Sequence, residues 1–96
     1  MQLEQLEIFV AVARCGSFTA AAKQLYISHS STSRAVSALE DELGVRLFCR
    51  GNRVKGLTAA GETLLEEAEK LLDAAEAAKT RVKAAADREN SGEKET

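Results

Sequence analysis

From Thr58 onward the chain keeps one period: Gly61, Leu64, Ala68, Leu71, Ala75, Ala78, Val82 and Ala85 recur at alternating intervals of three and four. That spacing lines apolar side chains along one side of a continuous helix, here for more than three heptads. Leu65 and Leu72 widen the stripe. A helix of ~28 residues is about 42 Å long, and the 57 residues that precede it make too small a head to cover the whole stripe. The stripe therefore predicts a linker helix at 58–87 that pairs with its copy in a second chain, with Leu64, Ala68, Leu71, Leu72, Ala75, Ala78 and Val82 as the dimer seam. Folding back onto the helix's own head is open only to its first two turns. Because alanine dominates, each contact buries little area, and the dimer should be of moderate strength. After Asp87, "DRENSGEKET" has neither period nor large apolar residue, so 88–96 reads as a flexible polar tail.

At 96 residues the chain holds one compact head plus this extension. Its hydrophobic content of 45% excludes wholesale disorder, and no apolar run approaches the ~20 residues of a membrane span. The opening "MQLEQLEIFV" carries acids where an export signal needs bases, which points to the cytoplasm. Cys15 and Cys49 lie far apart and read as packing thiols in a reducing compartment. The net charge of −2 hides an asymmetry: seven basic residues face five acids in 1–57, against six and ten in 58–96. The first part can face phosphates, and the second should point away from them.

Within residues 1–57, Leu3, Leu6, Phe9, Val10 and Ala13 share one side of a helix that Gly16 closes. Ser17 opens a second helix as its N-cap, with Phe18, Ala21, Ala22 and Leu25 as the apolar face. Three successive alanines, Ala20 to Ala22, let another helix come close, and "YIS" leaves only a tight turn before a third helix capped by Ser28. In that helix Thr32, Ala35, Val36, Leu39 and Leu43 face the core. Ser30, Ser33, Arg34 and Ser37 face the other way, with His29 at their edge.

A merely solvated face would profit from strong helix formers, whereas each serine costs on the order of tenths of a kcal/mol. The acids Glu40, Asp41 and Glu42 also wait until the far end. That order suits end-on entry into a DNA major groove. The helix N-terminus attracts phosphate, small hydroxyls clear the base edges, and Arg34 can pair with guanine or phosphate. Two helices joined by a tight turn, the second polar in its exposed first half, make a helix-turn-helix. Leu47–Arg50 and Val54–Leu57 can then pair as short strands around "GN", a wing whose Arg50, Arg53 and Lys55 suit phosphate or a narrow minor groove. The fold class is therefore all-α with a small β wing.

Catalysis is not expected. The single histidine sits among serines with no carboxylate to orient it, and no nucleophile set, phosphate loop or cofactor fingerprint is present. A metal site would need Cys15, His29 and Cys49 to converge from three distant elements.

"LEQLEIFVAVARCGSFTAAAKQLYIS", "SRAVSALEDELGVRLFCR" and "LTAAGETLL" resemble the N-terminal DNA-binding part of LysR-type transcriptional regulators, in register from about residue 2 to residue 80. The resemblance implies a winged helix-turn-helix followed by a linker helix, two such helices packing antiparallel in a dimer on an interrupted palindrome. Higher oligomers stay open. Carried onto this chain, it places His29, Ser30, Ser33 and Arg34 at base edges and Arg50 and Arg53 on the wing. It also puts Ser17, Phe18, Thr19 and Lys23 where the family holds the DNA backbone, beside which Ser28, Ser37 and Lys55 are further candidates. Three departures matter: His29-Ser30 stands where Gln-Pro is frequent, Thr32 replaces a usual buried Leu and should loosen the core there, and Lys55 replaces an apolar wing residue.

The resemblance stops short of the family's effector-binding domain, so no small-molecule effector or cofactor is expected for these residues. The sequence fits either a piece of a longer protein or a short one of its own. Two functions fit it: sequence-specific binding of double-stranded DNA as a homodimer, or pairing with a full-length relative as a partner that modulates it.

Overall fold

Helix α1 (Leu3–Cys15) is the element around which the others are arranged, and it touches α2 (Phe18–Leu25), α3 (His29–Leu43) and α4 (Ala59–Glu95) on different sides. The structure, a computed structural model, describes residues 1–49 and 56–95, with the backbone alone for 90–95. Because three helices surround α1, its buried residues are Leu6, Ile8, Phe9, Ala11 and Val12 rather than one stripe. Leu3, expected on the apolar face, is 47% exposed, while Val10 and Ala13 are half-buried. A single-face reading misses Ile8, Ala11 and Val12 because it assumes that one side of a helix faces water.

The helix ends follow their capping chemistry. Gly16, at φ 67°, closes α1 by donating its N–H to the Val12 carbonyl at 2.9 Å. The Ser17 hydroxyl accepts the Ala20 N–H at 3.1 Å and starts α2. The Ser28 hydroxyl accepts the Ser31 N–H at 3.0 Å and starts α3, which Gly44 ends at φ 67°. The close of α2 is the exception. Tyr26 takes φ 57° and ψ 41°, a left-handed conformation that usually falls to Gly or Asn. It compresses the turn so that only Ile27 separates it from the cap of α3.

Residues 44–49 tie α3 to α4. The Glu40 carboxylate accepts the Leu47 N–H at 2.8 Å, and the Leu47 carbonyl accepts the Thr58 N–H at 3.0 Å. The Thr58 hydroxyl donates to the Arg46 carbonyl at 2.6 Å and accepts the Gly61 N–H at 3.0 Å, so it caps α4 while holding the segment beside it. Among the described residues the two expected strands reduce to one antiparallel bridge, Phe48 with Leu57, plus a bond from the Cys49 N–H to the Gly56 carbonyl at 2.9 Å. On the Leu47 side the pairing goes no further, because Leu47 gives its N–H to Glu40 rather than to a strand. Arg50, Arg53 and Lys55 lie outside the described residues. Cys15 is half-buried against the core, but Cys49 is exposed and not the packing residue expected.

The stripe on α4 divides in two. Leu64 and Ala68, expected in the dimer seam, are buried in the chain's own core, with Leu65 and Leu72 packed beside them. An ion pair between Arg14 and Glu69 closes the same contact at its edge. Farther along, Leu71 is 42% and Val82 67% exposed, Ala75 is half-buried and Ala78 exposed. The head therefore reaches past the expected boundary at residue 57 and includes the first turns of α4. The helix also continues to Glu95, beyond the expected end at 87. Arg88, Glu89, Glu93 and Lys94 are good helix formers, and lack of apolar residues removes packing without removing that tendency. No helix among the described residues is long and apolar enough to cross a membrane.

Gly61 is the tightest point of this frame. A β-carbon there would stand 2.1 Å from the Leu47 carbonyl oxygen and 3.0 Å from Leu57. Gly61→Ala is expected to destabilise the chain by about 3 kcal/mol, the upper part of the overpacking range, because backbone must move. A urea melt followed by circular dichroism measures it. Tyr26→Gly acts in the opposite direction: the side chain is 95% exposed, and relief of the left-handed strain is worth about 1 kcal/mol. Its melt should shift to higher urea.

Candidate nucleic-acid interface

The first turn of α3 is polar because its hydroxyls finish the helix end. The Ser28 hydroxyl donates to the Ser31 hydroxyl at 2.9 Å and lies 3.2 Å from that of Ser30. Thr32 is fully buried, and its hydroxyl donates to the Ser28 carbonyl at 3.0 Å, so the replacement of a usual leucine leaves no unsatisfied polar atom. Two of the serines counted toward a contact face, Ser28 and Ser30, thus already share one hydroxyl cluster.

His29, Ser30, Arg34 and Ser37 are exposed, and Ser33 is half-buried. Arg34 and Lys23 make no ion pair with the described residues, in contrast to Arg14, which is held by Glu69. Arg34 borders a shallow groove whose far wall is Glu4, Gln5 and Ile8 of α1. Two of the three acids of α3 are occupied elsewhere, Glu40 on the Leu47 N–H and Glu42 on the amino group of Met1 at 2.6 Å, and the third, Asp41, lies in the last turns, away from the helix start. Positive charge on the exposed half of α3 therefore stands without a neutralising partner among the described residues.

At the start of α2, Thr19 is exposed and Ser17 is half-buried, its hydroxyl committed to the cap. Phe18, expected near the DNA backbone, turns its ring toward the protein. Its ring is half-buried, 5.7 Å from the ring of Phe48 and 6.2 Å from the imidazole of His29. Only its main chain, at a helix N-terminus, remains suited to a phosphate. Two features escaped the sequence reading. The contact of Phe18 with His29 joins residues eleven apart on different helices, and no local pattern announces it. The bond from Glu40 to Leu47 was hidden because Glu40 reads as one of three solvated acids. Among the described residues no three His, Cys, Asp or Glu side chains gather as a metal site requires.

This arrangement has close counterparts. Residues 3–62 match the family model described as bacterial regulatory helix-turn-helix protein, lysR family. The HTH-type transcriptional regulator ClcR of Pseudomonas putida is 47% identical over 85 residues, which is 88% of this chain and 29% of that protein. TcbR of Pseudomonas sp. strain P51 is 44% identical over 86 residues, again 29% of its length. The chain thus spans less than a third of these regulators. Among solved structures, the CbnR DNA-binding domain in complex with DNA superposes with a TM-score of 0.85 at 44% identity, covering 90% of this chain and 99% of that one. The BenM DNA-binding domain on benA site 1 DNA gives 0.83 at 38% identity, covering 88% and 98%. An exposed polar helix start, a helix-turn-helix built on α2 and α3, and a family match over more than half the chain agree: this chain belongs to the LysR family of bacterial transcriptional regulators, which are not enzymes, and corresponds to their DNA-binding domain.

Proposed function

We propose that the chain binds double-stranded DNA sequence-specifically as a homodimer, in the cytoplasm, with the first turns of α3 in the major groove of each half of an interrupted palindrome. The observation that carries this reading is the exposed Arg34, without an ion pair among the described residues, beside His29, Ser30 and Ser33 on a capped helix start, in a fold shared with domains solved on DNA. In this arrangement Arg34 and His29 meet base edges, Ser30 and Ser33 supply short donors or acceptors, and Lys23, Thr19 and the main chain at Ser17–Phe18 hold the DNA backbone. Ser28 and Ser37 flank the contact. Arg50, Arg53 and Lys55, the basic residues of the expected wing, add phosphate contacts.

Dimerisation is read from the outer part of α4. Leu64 and Ala68 belong to the head, so the seam reduces to Leu71, Leu72, Ala75, Ala78 and Val82, where apolar side chains remain partly or largely exposed. A stripe with so little leucine gives a moderate dimer. Joining two half-site readers raises affinity for a palindrome without any new contact.

Each contact has its own signature in a mobility-shift titration. Affinity should fall with salt at a log–log slope of about −0.9 for each neutralised phosphate. Arg34→Ala should cost about 1 to 3 kcal/mol and relax specificity at one base pair of each half-site. Arg53→Ala should weaken all duplexes alike and reduce the salt slope; a selective change in base preference would remove the wing assignment. A flat salt response with no preference among duplexes would remove the whole reading.

The seam has a separate test in sedimentation equilibrium. Leu71→Glu combined with Val82→Glu should convert dimer to a monomer of 10.3 kDa with the helicity of the head intact. Affinity for a full palindrome should drop by about two orders of magnitude and approach that for a half-site. An unchanged dimer would place the interface elsewhere.

A further inference from the structure

We propose that Phe18 is a positioning residue for base readout: its ring, backed by Phe48 and Phe9, fixes the orientation of the His29 imidazole and so sets the base preference at the position His29 meets. The inference rests on the DNA-binding reading above and assigns Phe18 a role distinct from backbone contact.

His29 is the first residue of α3, it is exposed, and no hydrogen bond to a described residue holds its side chain. A ring so placed samples several rotamers and must be ordered when it binds, at a cost in affinity and in selectivity. The aromatic neighbour it has is Phe18, at 6.2 Å between centroids with planes inclined at 48°. Phe18 in turn meets Phe48 edge-on at 5.7 Å, and Phe48 lies 5.5 Å from Phe9, which is fully buried. Four rings thus run from the centre of the core to the start of the recognition helix. Tilted aromatic pairs at these separations are favourable beyond the area they bury.

The stack meets the imidazole as a tilted ring pair, and the ring nitrogens have no hydrogen-bond partner among the described residues. A glutamine at position 29 offers no ring for Phe18 to hold, so this device suits the histidine found here. Phe48 also forms the bridge with Leu57, so one stack seats both that bridge and the readout residue.

The chain contains one histidine, which gives the test two independent readouts. In nuclear magnetic resonance of the wild-type chain, His29 and Phe18 ring protons should show a mutual Overhauser effect, and Phe18→Leu should move the His29 ring signals. No such effect in wild type overturns the proposal, whether or not the variant folds. For readout, a half-site is selected from random duplexes by the wild-type chain, and affinities are measured on duplexes with single base-pair changes.

Phe18→Leu should reduce discrimination, by about fivefold or more, at the base pair that His29→Ala also affects and at no other. Phe18→Tyr should retain it, and the double variant Phe18→Leu/His29→Ala should discriminate no worse than His29→Ala alone. Equal weakening on every duplex, intact discrimination in Phe18→Leu, or full additivity in the double variant overturns the positioning role. A wild-type chain with no preference at any base pair overturns the DNA reading itself, a result separate from each of these.

Discussion

The structure depends on the approach of the Leu47 carbonyl to Gly61, where one missing β-carbon lets the chain after α3 lie directly against the first turn of α4. Both main-chain groups of Leu47 are satisfied there, the N–H by Glu40 and the carbonyl by Thr58. A buried main-chain group without a partner would cost on the order of 1–3 kcal/mol, so this short segment is held as firmly as a strand without belonging to a sheet. Leu47 itself is fully buried. The consequence is mechanical: the C-terminal part of α3, through Glu40, and the N-terminus of α4, through Thr58, share one residue. A displacement of α4 relative to the head cannot occur without disturbing the anchor of α3.

That coupling gives sense to the division of the stripe on α4. Had Leu64 and Ala68 faced a second chain, the head would hang from α4 by residues 44–58 alone. Their burial against α1, with the Arg14–Glu69 pair at the rim, makes the first turns of α4 part of the head. The remaining stripe, with Leu71 and Val82 exposed, then extends from a rigid base. Two heads joined through such arms would stand at a separation set by helix packing rather than by a flexible linker, which is what a reader of two half-sites at fixed spacing requires.

The sequence carried the helices of the head almost completely, and for local reasons. Gly16, Ser17 and Ser28 act at helix ends where one residue's conformation or hydroxyl decides the outcome. The polar first turn of α3 was legible because an unbroken set of small hydroxyls is an unusual choice for a helix surface. What was not legible depends on partners distant in sequence. Ile8, Ala11 and Val12 are buried because α1 has neighbours on several sides, which a one-face periodicity cannot express. Gly61 reads as a gap in a heptad until Leu47 is seen against it. Tyr26 adopts a glycine conformation because the turn geometry, not its own preference, determines it.

The serines of α3 also require a finer account than surface polarity. Ser28, Ser30 and Ser31 exchange hydrogen bonds among themselves, and Thr32 returns its hydroxyl to the Ser28 carbonyl. These groups preorganise the helix start, and a hydroxyl that turns outward to a phosphate or base must give up an internal bond. The gain from such a contact is the difference between two similar hydrogen bonds, commonly about 1 kcal/mol or less. On the DNA reading proposed above, Arg34 gives up no ion pair with the described residues on meeting a duplex, and charge-assisted bonds are the stronger class. Affinity and selectivity should therefore concentrate on Arg34 and on an ordered His29, with the serines chiefly securing the end of the helix that presents them.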